Sequence, residues 1–130
     1  MLVEMIRQGK VMIKIKGATD KEAKAIAEYE ELLLKKFPNR IRKLMLFGSK
    51  ARGDAHRSSD IDILVVLTKN GKSIRKEIAA LTYNPIVRFG VEISPIVIEE
   101  DELREWSPFI SHIKKEAITI WTNKRAKKNL

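Results

Sequence analysis

Val11, Ile13 and Ile15 alternate with Met12, Lys14 and Lys16, the two-residue period of a half-buried strand, and residues 2–7 can pair with that strand across Gln8-Gly9-Lys10. A β-hairpin over an N-terminal extension, residues 1–16, is the expectation. The period then changes. Thr19 followed three residues later by Glu22 has the form of a capping box, and Ala23, Ile26, Ala27, Leu33, Leu34 and Phe37 recur at roughly helical spacing up to Pro38. Ile41 to Phe47 is a short apolar run leading into Gly48-Ser49, and Ile61 to Leu67 is a β-branched run too short for a helix. Both read as buried strands.

Beyond Asn70-Gly71, the residues Ile74, Ile78 and Leu81 give one apolar face to a helix expected to stop before Asn84-Pro85. Residues 89–98 read as a third core strand, kinked or ended near Pro95. The acids Glu99, Glu100, Asp101 and Glu102 suit the first turn of a helix continuing through Leu103 and Trp106, because a helix N-terminus carries partial positive charge. Pro108 restarts a helix through Ile110 and Ile113, and residues 118–121 form a last strand. With no repeat and no linker, residues 1–130 read as a single domain of the α/β (α+β) class, a small mixed β-sheet with flanking helices.

Composition narrows the partners. Lys and Arg number 26 against 17 Asp and Glu, a net charge of +9. That excess is spread rather than striped, since residues 1–40, 41–70 and 71–130 each carry +3. Within the basic tail 124–130, Lys124 to Lys128 form the one local basic run, which reads as a solvated end. The charge therefore points to an anionic ligand, with nucleic acid a weaker expectation. The absence of cysteine excludes a disulfide scaffold, a cysteine-based zinc site and a thiol nucleophile. No signal-peptide pattern opens the chain and no apolar run nears the ~18 residues of a membrane span, so a cytoplasmic protein without a membrane is expected.

Chemistry is concentrated in residues 46–64. Gly48 and Ser49 stand where a buried strand gives way to a short helix, a place where small residues permit close approach and free backbone N–H groups suit phosphate. Arg52, three residues after Ser49, shares its helical face and can reach the same anion; Gly53 can cap that helix. Asp60 and Asp62 are two apart at a strand start, so both carboxylates face one side while Ile61 and Ile63 face the core. Such a pair suits Mg²⁺ or Mn²⁺, which also takes water and substrate phosphates. Glu92, flanked by Val91 and Ile93, is the candidate for a third carboxylate, which would let two ions share the site. His56 and Arg57 lie on the connecting loop, and His112 reads as a half-exposed packing residue.

The string Gly-Ser-x-x-Arg-Gly at 48–53 followed by Ser-Asp-x-Asp-x-x-Val at 59–65 resembles the signature of the minimal nucleotidyltransferases of the DNA polymerase β superfamily, often paired with HEPN toxins. The likeness extends over residues 41–121 and includes the late helix from Ser107 to Glu116. The resemblance implies a polymerase β palm-like fold, with Gly48, Ser49, Arg52 and Ser59 binding the nucleotide and Asp60 and Asp62 holding Mg²⁺. It places Glu92 where the family commonly has an aspartate. It implies ATP as donor and transfer of AMP to a hydroxyl of a HEPN-type toxin, the chain acting as antitoxin within a homo- or hetero-oligomer. The alternatives are a non-catalytic binding antitoxin and a nucleotidyltransferase acting on RNA or on a small molecule such as an aminoglycoside, the last disfavoured because the core nearly exhausts the chain.

Overall fold

Two strands, β1 (Leu2–Arg7) and β2 (Lys10–Ile15), open the computed structural model and pair antiparallel as a sheet of their own, Leu2 opposite Ile15. The structure describes residues 2–7, 10–15, 18–48, 60–69 and 73–123. Helix α1 (Asp20–Lys36) begins at a capping box, in which the Glu22 N–H donates to Thr19 Oγ1 at 3.1 Å and the Thr19 N–H donates to Glu22 Oε1 at 2.8 Å. Two of the orphan donors of the first turn are thereby satisfied. Ahead of Pro38, the helix closes on Phe37.

Strands β3 (Ile41–Phe47) and β4 (Ile61–Leu67) pair antiparallel. Two short helices, α2 (Arg75–Ala80) and α3 (Tyr83–Phe89), then carry the chain over to β5 (Ile93–Glu99), which runs parallel to β4. A crossover is what a parallel neighbour requires. A 3-10 turn (Glu100–Arg104), helix α4 (Pro108–Glu116) and strand β6 (Ile118–Thr122) complete the order β5-β4-β3-β6, a mixed sheet as expected.

The sheet is covered on both faces. On one, Leu44, Leu46, Ile61, Ile63 and Val65 pack with Tyr29 and Leu33 of α1 and Ile78 of α2. On the other, Met45, Leu64, Val66 and Ile98 pack with Ile110 and Ile113 of α4. Burial on both sides is why β3 and β4 read as continuous apolar runs rather than alternating ones. Tyr29 is fully buried, its hydroxyl donating to the Ile78 carbonyl at 2.7 Å near the end of α2, and burial pushes that phenol above its ordinary pKa.

α2 stops at Ala80, ahead of Asn84-Pro85 as expected; a further helix not anticipated there, α3, takes Pro85 into its first turn, where the N–H that proline lacks would have had no intrahelical partner. Two expectations are corrected here. Phe89 does not start a strand: it ends α3, and Gly90 caps that helix in the left-handed region at φ 69°, so β5 begins only at Ile93. The acidic run makes a five-residue 3-10 turn rather than a helix through Trp106, opened by Glu99 and Glu102 capping one another and ended at Glu105, and Trp106 is left 80% exposed. Pro95 is tolerated inside β5 because that strand lies at the sheet's edge, where a missing N–H breaks no second ladder.

Candidate functional site

The site lies where β3 ends and β4 begins. Phe47, the last residue of β3, is the cross-strand partner of Asp62 in β4. Gly48 follows at φ 76°, a conformation that L side chains rarely adopt, and a Cβ built on it would stand 2.5 Å from Asp62 Oδ2. Two separate requirements therefore select glycine: the backbone angle, and the approach of a carboxylate to the bare Cα.

Asp60 is exposed and Asp62 partly so, while Ile61 and Ile63 on either side are buried, as the two-residue period demands. Both carboxylates thus project from the face that carries Leu64 and Val66. Burial first, and the neighbouring charge of Asp60 second, raise the Asp62 pKa above the usual carboxylate value. The pair is held in an electrostatically unfavourable arrangement, and a cation between its members is what would relieve it.

β5 adds to this end of the sheet through its parallel register. Ser94 is the neighbour of Asp62, and its hydroxyl donates to Asp60 Oδ2 at 3.2 Å. The Ile61 N–H donates to the Glu92 carbonyl at 2.8 Å, so Glu92 is fixed beside Asp60 by its backbone while its side chain is exposed. Among the described residues, no three Asp, Glu, His or Cys side chains gather into a group that could hold a metal, so Glu92 shares the strand end with the two aspartates but does not close on them. Ser49, Arg52 and Ser59, with His56 and Arg57, lie outside the described residues.

Helix α4 brings its first turns to the same place. Ser107 caps it, accepting from the Ile110 N–H at 3.1 Å, and Pro108 occupies its first turn. From this helix Phe109 and His112 both set their rings edge-on to Phe47, with centroids at 6.0 and 5.6 Å. His112 Nε2 also lies 2.9 Å from Glu116 Oε2. Sequence reasoning assigned no site role to Ser94, Phe47 or Phe109. Spacing gave a partial signal, since Phe109 and His112 are one helical turn apart and Phe47 adjoins Gly48.

Residues 26–129 match the family described as nucleotidyltransferase domain. A curated relative from Methanocaldococcus jannaschii, "Putative protein adenylyltransferase MJ0604", is 41% identical over 80 residues, covering 62% of this chain and 76% of the relative. Among solved structures, a "putative nucleotidyltransferase from Sulfolobus solfataricus" is similar at 27% identity and a TM-score of 0.50, over 78% of this chain and 81% of that one. A "toxin-antitoxin with AMP-PNP" shares the fold at 22% identity and a TM-score of 0.51, over 77% and 76% of the two chains.

Proposed function

The chain belongs to the nucleotidyltransferase domain family, and from that premise we propose that it transfers AMP from ATP to a hydroxyl of a partner protein, as the antitoxin of a HEPN-type toxin. The observation that carries this reading is the carboxylate pair Asp60 and Asp62, with Asp62 set against the side-chain-free backbone of Gly48. A protein acceptor is supported by the name of the relative from Methanocaldococcus jannaschii. An adenine nucleotide and a toxin partner are supported by the complex that contains AMP-PNP.

The donor set fits Mg²⁺. Two hard carboxylates on one sheet face, one with its pKa raised by burial first and by its neighbour second, are what a divalent cation stabilises. Asp60 and Asp62 would hold it; for Glu92 to serve as the third carboxylate and let a second ion share the site, its side chain would have to swing in from the exposed position it takes here. When bound, the metal supplies charge neutralisation at the phosphates and a lowered pKa at the attacking hydroxyl.

The chain's own residues do the positioning. Gly48 leaves room at the end of β3, Ser94 fixes the orientation of Asp60, and Ser49, Arg52 and Ser59 complete the phosphate contacts in this proposal. In the reaction the acceptor hydroxyl gives up its proton to solvent water as its oxygen bonds to the α-phosphorus, the bond from that phosphorus to the bridging oxygen breaks, and pyrophosphate leaves with the electron pair. Placement and charge complementarity dominate such a transfer.

The test supplies ATP labelled at the α-phosphate, with Mg²⁺, to the chain mixed with lysate of its source organism. Label on one protein band with wild type and none with Asp60→Asn/Asp62→Asn supports the reading. Label on RNA or on a small molecule contradicts the protein acceptor, and neutralisation of a toxin that survives the double substitution points instead to a binding antitoxin.

A further inference from the structure

Phosphate and metal are provided for at the carboxylate pair, yet a nucleoside triphosphate also carries a base, and none of the site residues so far described meets one. Directly opposed residues of an antiparallel pair place their side chains on the same face. Phe47, opposite Asp62, therefore stands beside the carboxylates on their own side of the sheet. Its ring is the anchor for two more. Phe109 meets it at an interplanar angle of 73° and His112 at 84°, both edge-on.

These rings are not sealed into the core. On the same helix Ile110 and Ile113 are 6% and 1% exposed, whereas Phe109 is 43% exposed and the His112 side chain 52%. Rings held at fixed angles to one another and partly exposed to solvent, on the sheet face that carries the carboxylate pair, have the form of a stacking platform.

We propose that Phe109, with His112 beside it, is the surface on which the nucleobase of the donor triphosphate stacks when its phosphates are held through the divalent cation at Asp60 and Asp62. The inference rests on the nucleotidyl-transfer reading of the site. Stacking uses ring area and no donor or acceptor, so purine triphosphates bind more tightly than pyrimidine ones.

The experiment is calorimetric titration of the full chain with ATP, UTP and inorganic tripolyphosphate, each with Mg²⁺. Wild type binds ATP more tightly than UTP or tripolyphosphate. Phe109→Leu keeps an apolar side chain over Phe47 but removes the π-face; it weakens ATP by about 5- to 150-fold, the usual range for one base on one aromatic ring, and leaves tripolyphosphate unchanged. Phe109→Tyr retains ATP affinity. The proposal is overturned if Phe109→Leu binds ATP as wild type does, including a variant that loses only transfer to a partner, or if ATP and tripolyphosphate weaken by the same factor. Wild type that binds tripolyphosphate as tightly as ATP removes the stacking platform and leaves the phosphate site standing. Wild type that binds neither removes the nucleotidyl-transfer reading as well.

Discussion

Replacing Gly48 with alanine separates the two reasons for a glycine at the end of β3. The first is conformational: a Cβ at φ 76° meets the preceding and following peptide units, at a cost of about 1–2 kcal/mol. Spread over 130 residues, at ~2.1 cal/mol/K each, that lowers the melting temperature by about 4–7 °C. The second is steric. The new Cβ would lie 2.5 Å from Asp62 Oδ2, so the carboxylate must retreat by about 0.9 Å to reach the 3.4 Å of ordinary contact. An aspartate side chain rotates easily, so the retreat adds little to the stability cost. It moves the oxygen proposed to hold the metal, however, and under that proposal a displacement near 1 Å reduces turnover by roughly 100-fold. The assay is thermal melting alongside transfer from α-labelled ATP, in wild type and in an Asp62→Ala background. Gly48→Ala should lower stability by the same amount in both backgrounds, within ~0.5 kcal/mol, and should suppress transfer while Asp62 is present. A Gly48→Ala variant that melts lower but transfers at the wild-type rate refutes the link between this glycine and the carboxylate.

Asp62→Asn in metal-free buffer should raise thermal stability at neutral pH. A carboxylate whose folded pKa is raised holds its proton more tightly when folded, so stability falls as pH rises from the ordinary carboxylate value through the raised one and stays reduced above it. Melting curves across pH should show the advantage of Asp62→Asn vanish in acid, and a variant less stable than wild type at neutral pH would contradict the cause assigned. Tyr29→Phe removes the hydroxyl bonded to the Ile78 carbonyl and leaves a buried acceptor unsatisfied, at about 1–3 kcal/mol. Over 130 residues this lowers the melting temperature by about 4–11 °C, with transfer per folded molecule unchanged; a shift below 2 °C sinks the assignment.

How much of this was legible in the sequence depends on whether one residue's neighbours are local. The capping box of α1 and the apolar runs of β3, β4 and β6 could be read because their signals lie within one element. The common face of Asp60 and Asp62 could be read because strand period alone sets it. Pro85 marked a stop that α2 obeys, but gave no sign that a new helix opens at Tyr83, because a proline suits a helix first turn as well as a helix end. Trp106 fell outside any helix because the chain becomes extended at Glu105, and the Glu99/Glu102 box marks only where the turn starts, not how far it runs. Ser94 and the three rings at Phe47 depend on register between strands distant in sequence, which periodicity does not encode.

The most direct measurement compares ATP labelled at the α-phosphate with ATP labelled at the γ-phosphate, each incubated with the purified chain, Mg²⁺ and its protein acceptor. Nucleotidyl transfer at Asp60 and Asp62 predicts label on the acceptor from the α position, none from the γ position, and loss of the α signal in Asp60→Asn/Asp62→Asn. Label arriving from the γ position, or α label that persists in the double variant, would contradict it.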